Sequence, residues 1–160
     1  MVLRGGRNTL RLVIAHIPTY AFERLGALRT LNLNDSTSLT ALPESLGSQL
    51  QALRELNLCR CSSLVALPES LCQLQALTKC ILVECSSLVA LPDALGELRA
   101  LELLNLTKCF SLTALPESLG KLQALRKLLL NECSSITALP GSLGQLQTLR
   151  SLHLESCSAL

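Results

Sequence analysis

A period of 24 residues leaves this chain few folds to choose from. From Leu53 it reads LRELNLCRCSSLVALPESLCQLQA, from Leu77 LTKCILVECSSLVALPDALGELRA, from Leu101 LELLNLTKCFSLTALPESLGKLQA and from Leu125 LRKLLLNECSSITALPGSLGQLQT. The unit from Leu28, LRTLNLNDSTSLTALPESLGSQLQA, carries one extra residue near Ser48, and Leu149 opens a partial copy, LRSLHLESCSAL. A unit this short cannot bury its own leucines, but stacked neighbours can bury each other's. Within each unit the stretch around Leu56-Asn57-Leu58 alternates as a short strand does. Leu53, Leu56, Leu58, Leu64, Leu67, Leu71 and Leu74 form the inward set of one coil.

The second half of each unit is a return path. Pro43, Pro68, Pro92, Pro116 and Pro140 mark the exit from strand pairing and suit the first turn of a short helix or 3₁₀ segment. Glu44, Glu69, Asp93 and Glu117 follow directly; an acid suits that turn's dipole, and solvation is the simplest account of the like-charged ridge they form. Gly47, Gly96, Gly120 and Gly144 are expected to let the backbone bend, with Cys72 interrupting the file.

Cys61, Cys85, Cys109, Cys133 and Cys157 occupy one repeat position, where Ser36 stands in the first unit. An inward thiol there is expected to donate to carbonyls of the turn. Ser38, Ser63, Ser87, Ser111 and Ser135 form a second file, read as similar turn satisfaction. Parallel side-chain vectors argue against disulfides along the thiol file, and a linear file does not converge on a metal. Cys80 replaces a core Leu. Cys59 is expected to be an incidental exposed thiol, the alternative being a contact or redox residue.

The pattern LxxLxLxxCxSLxALPxSLGxLQx resembles the leucine-rich repeats, and the match covers roughly residues 10–160. Its C-x-SL-x-x-LP variant is most similar to the cysteine-containing intracellular repeats of plant nucleotide-binding immune receptors and to related LxxLP proteins. The resemblance implies an α/β fold: a right-handed solenoid with a parallel concave sheet and short helical or 3₁₀ convex segments. Residues 1–27 would be a degenerate repeat or partial cap, and 28–160 the repeats, the last one truncated. It implies a protein partner, bound on the concave face, in intracellular signalling or immune sensing. A stand-alone scaffold or adaptor, or the specificity domain of a larger enzyme such as a ligase or kinase, are the alternatives.

Composition narrows the function classes. A net charge of +2 gives no reason to expect nucleic acid or an anionic membrane as partner. No apolar run approaches the ~18 residues of a membrane span. The stretch Leu10 to Ile17 is interrupted by Arg11 and reads as folded sequence, not a signal peptide. A file of reduced thiols points to the cytoplasm, and the nucleus fits the same reading. The sequons at Asn34 and Asn105 weigh little against it. No phosphate loop occurs, and His16 and His153 lack partners for a triad, so no enzyme, cofactor or metal is expected. The chain stops in mid-coil, which suggests either a longer protein or end-to-end self-association through an open edge.

Comparing units locates a binding surface, because the return path barely changes while the outward strand positions vary. Ile81, Val83, Leu103 and Leu129 are apolar on three adjacent strands, rimmed by Lys79, Lys108, Lys127 and Glu132. Such a patch is a common contact signature, though β-propensity alone also explains it. Asn57, Asn105 and His153 complete the candidate partner-binding set. Arg29, Arg54, Arg126 and Arg150 recur at the second position of their units, and their stems are expected to lie over neighbouring leucines.

Overall fold

The structure is a computed structural model that describes residues 8–160. The expectation of a partial cap before Asn8 therefore falls largely outside the described residues. Among the described residues, seven three-residue strands make one parallel sheet in chain order: β1 (Thr9–Arg11), β2 (Thr30–Asn32), β3 (Glu55–Asn57), β4 (Lys79–Ile81), β5 (Leu103–Asn105), β6 (Lys127–Leu129) and β7 (Ser151–His153). Register is in step throughout, Leu31 facing Leu56, Leu56 facing Cys80, and so on to Leu128 facing Leu152. The middle residue of each strand points inward and is buried from Leu10 to Leu128; β7, with no strand beyond it, leaves Leu152 37% exposed.

The inward leucines form one continuous aliphatic core with Cys61, Cys80, Cys85, Cys109 and Cys133 among them. Ile17 and Phe22 extend it into the first coil, where β1 pairs with β2. Return segments are 3₁₀ turns at Glu69–Gln73, Leu95–Glu97, Glu117–Lys121 and Gly141–Gln145. The unit with the extra residue has an α-helix instead, α1 (Ser45–Gln49). There Leu50 N–H bonds back to Leu46, four residues away, whereas Leu74 bonds to Leu71, three away. One additional residue thus converts a three-residue ring into an α turn. Pro68, Pro116 and Pro140 sit just ahead of their segments in an extended conformation, and every proline of the file accepts at its carbonyl a bond from the leucine three residues on, as Leu71 N–H to Pro68.

The glycine file has a different cause from the expected bend. None of these glycines has a positive φ. A Cβ at Gly47 or Gly96 would collide with the carbonyl oxygen of Ser70 or Ser118 in the next coil, and one at Gly120 would stand 2.5 Å from that of Ser142. The coils therefore approach too closely for any side chain. At Gly144 nothing lies within 4 Å. Cys72 takes the glycine position but is buried, and the return segment that faces it is the one that departs from the rest: Leu95–Glu97 is shorter, with Ala94 in place of the serine.

Candidate interaction surface

The outer face of the sheet is built in rows, because in-register parallel strands set equivalent residues ~4.8 Å apart. Among the described residues no other element packs on that face. One row runs Glu55, Lys79, Leu103, Lys127 and Ser151; the next runs Asn57, Ile81, Asn105, Leu129 and His153. Ile81 and Leu129 thus share a row with Asn105 between them, while Leu103 lies between two lysines in the other. Val83 stands two residues beyond β4, outside both rows. All four apolar residues are half-buried by their neighbours, and His153 is exposed. Asn57 and Asn105 are committed to local turns: their Oδ1 atoms accept from the N–H of Cys59 at 3.2 Å and of Thr107 at 3.1 Å.

Lys108 does not join Lys79 and Lys127. It sits in the turn after the strand, at a position with left-handed backbone in every complete unit: Asp35, Arg60, Glu84, Lys108 and Glu132 have φ between 60° and 65°. Non-glycine residues seldom adopt this conformation. Here the backbone is held by the inter-coil ladder: Arg60 N–H bonds to Val83 carbonyl at 2.8 Å and Lys108 N–H to Asn131 carbonyl at 2.8 Å. The five side chains alternate in sign along the file. Arg60 Nε meets Asp35 Oδ1 at 2.6 Å, and Lys108 Nζ lies 3.5 Å from Glu84 and 4.0 Å from Glu132. The hydrogen bond from Arg60 holds the Asp35 carboxyl below its ordinary range.

Behind this file lie the thiols. Each donates to the preceding coil, not to its own turn: Cys61 to Leu33 carbonyl at 3.3 Å, Cys85 to Leu58 at 3.2 Å, Cys109 to Leu82 at 3.2 Å, Cys133 to Leu106 at 3.0 Å. The thiol is therefore a stitch between coils. Burial pushes Cys61 and Cys133 up to about 11 and Cys109 up to about 12, so these groups stay protonated and unreactive. Cys80 is likewise pushed up to about 12 in its leucine-like site. Cys59, expected to be exposed, is half-buried, and burial raises its thiol too, which is the wrong direction for a reactive cysteine. The second serine file plays no matching part: Ser63, Ser87 and Ser135 are half-buried, and the turn closes through backbone groups such as Leu64 N–H to Cys61 carbonyl.

Three features escaped the reading by residue type. The convex acids are not merely solvated. Glu44 accepts from Ser70 N–H at 3.3 Å, Glu69 from Asp93 N–H at 3.2 Å, and Glu117 from Ser142 and Gly141 N–H at 3.1 and 3.2 Å. Each caps the return segment of the following coil, and the Ser142 and Gly141 amides hold the Glu117 carboxyl below its usual value. The exposed large apolar residues of the middle coils are not concave at all but Val65, Val89 and Phe110, beyond the thiol file. Finally, Lys79, Glu102, Leu103, Arg126, Lys127 and Arg150 line a shallow groove of ≈ 330 Å³ at the strand-entry edge. The 24-residue spacing carried the signal for this last feature, since Leu103 and both lysines fall at one repeat position. No group of three or more metal-ligating side chains occurs among the described residues, and no helix there is long and apolar enough to cross a membrane.

Stacked single-strand coils with a leucine core and short return segments define a leucine-rich-repeat solenoid. The chain belongs to this family: the family model described as "Leucine-rich repeat region" matches residues 13–160. Among solved structures it is similar to the leucine-rich repeat domain of the type III effector XCV3220 (XopL), with a TM-score of 0.83 and 31% sequence identity. That likeness covers 96% of this chain and 54% of the other, so the chain spans about half the length of the structure it matches. No curated protein matches the sequence.

Proposed function

We propose that this solenoid recognises a protein through its concave face, in a signalling or immune-sensing setting inside the cell. The observation that carries this reading is the contrast between the two faces of one sheet. Inward positions are nearly all leucine, fixed by packing, whereas the outward rows hold Glu, Lys, Leu, Asn, Ile and His at equivalent places on an uncovered surface. Stacking needs no such variety, so it is available for specificity. The setting rests on the resemblance of the C-x-SL-x-x-LP units to intracellular receptor repeats, and the unreactive thiol file fits a reducing compartment.

The test is affinity capture followed by identification, with three proteins in parallel: wild type, an Ile81→Glu, Leu129→Glu double variant, and a Lys121→Glu variant on the return side. Partners captured by wild type and Lys121→Glu but lost by the double variant support the concave face. Equal recovery by all three, with folding intact by circular dichroism, would sink it.

A further inference from the structure

The charges of the concave side are segregated by row. In the turn row each cation is spent on neighbouring acids, Arg60 on Asp35 and Lys108 on Glu84 and Glu132. At the strand-entry edge the balance is different. Lys79, Arg126, Lys127 and Arg150 surround the groove, against the one carboxylate of Glu102. Lys79 reaches Glu55 at 3.8 Å, while among the described residues Arg126, Lys127 and Arg150 have no acid within 4.0 Å. A chain of net charge +2 has thus gathered an excess of positive charge on the outward face of its sheet.

The floor of the cluster is apolar. Leu103 lies between Lys79 and Lys127 in register, so the two lysines flank a leucine, their Cα atoms roughly two strand spacings or ~10 Å apart. Arg126 and Arg150 follow one another on the adjoining row, stitched by the Arg150 N–H to Arg126 carbonyl bond at 2.8 Å. Cations this close repel one another, and they are stabilised when carboxylates enter between them.

We propose that this groove binds an acidic peptide segment of a protein partner, with an apolar side chain seated on Leu103 and carboxylates set between Lys79, Lys127, Arg126 and Arg150. The proposal rests on the concave-face reading and assigns its partner chemistry. A phosphate backbone fits less well. Glu102 in the groove and Glu55 beside it would face a continuous polyanion, and no Phe, Tyr or Trp stands in these rows to stack a base, while the imidazole of His153 lies outside the groove's lining. Discrete carboxylates spaced by apolar residues avoid the acids and use the leucine.

Binding is measured by fluorescence anisotropy at low and moderate salt. The probes are a short fluorescein-labelled peptide of alternating glutamate and leucine, the same peptide with glutamine for glutamate, and labelled oligothymidylate. Wild type is expected to bind the glutamate peptide in a salt-sensitive manner and to prefer it to both other probes. An Arg126→Glu, Lys127→Glu variant should lose roughly tenfold or more in affinity, while Lys121→Glu retains it. Absence of binding by folded wild type, equal binding of the glutamine peptide, preference for oligothymidylate, or an unaffected charge-reversal variant would each overturn the inference. If the partner captured by wild type is lost by Ile81→Glu, Leu129→Glu yet kept by Arg126→Glu, Lys127→Glu, the groove assignment fails and concave recognition stands.

Discussion

At the residue scale, the left-handed turn position sets two effects against each other. A non-glycine residue at φ 63° costs about 1–2 kcal/mol, and the ion pairs that Lys108 makes from a partly exposed position stabilise by at most about 1 kcal/mol. Lys108→Gly removes both terms and should leave stability within about 1 kcal/mol of wild type, whereas Lys108→Val keeps the strain, adds β-branching and should cost more than about 1 kcal/mol. Urea denaturation of the two variants checks the order. The thiols give a second expectation. Burial raises Cys61 from 9.0 to about 11 in the folded chain. Below 9.0 the thiol is protonated in both states and its contribution is complete. Between 9.0 and about 11 only the unfolded chain releases the proton, so stability falls as pH rises through that window. Cys133 and Cys109 act in the same sense, and a urea midpoint in reducing buffer that holds level through this range would contradict it.

At the scale of the element, the return segment shows what a sequence makes legible. The strands, the inward leucines and the thiol file follow from period and alternation, both of which survive in a string of letters. The role of the glycines does not. It depends on how near the next coil comes, which is set by packing, and the separation leaves no mark on glycine itself. The acids Glu44, Glu69 and Glu117 mislead for the same reason: their amide partners lie about 24 residues on, in another coil. The left-handed turn was hidden because Arg60, Glu84 and Lys108 are not residues that advertise it. The groove at Leu103 was visible in part, since repeat alignment sets Lys79 and Lys127 beside it, but Arg126 and Arg150 joined it only once the rows had a geometry. The glycine account makes a paired prediction. Gly96→Ala drives a Cβ into the Ser118 carbonyl and should cost about 1–3 kcal/mol or more, while Gly144→Ala meets nothing and should gain about 0.4–1 kcal/mol from the stiffer unfolded chain. Thermal melts of the two variants would show opposite shifts.

At the scale of the whole molecule, coils contact only their neighbours, so the solenoid should tolerate editing by whole units. Excising residues 101–124 would set Gly96 against Ser142, the pairing that Gly120 already makes. Excising 77–100 would instead set Cys72 against Ser118, where glycine is needed. The first deletion should fold cooperatively with a lower Tm; the second should melt well below it or fail to fold, as calorimetry and circular dichroism would show. A chain of near-identical coils faces a problem of address: a strand slipped by one whole unit, or exchanged with another molecule, finds almost the same leucines waiting. The sulfur of Cys72 breaks that degeneracy. Only the coil carrying Ala94 and the shortened segment Leu95–Glu97 offers it room, so this one seam names its own neighbour and numbers the coils on either side of it.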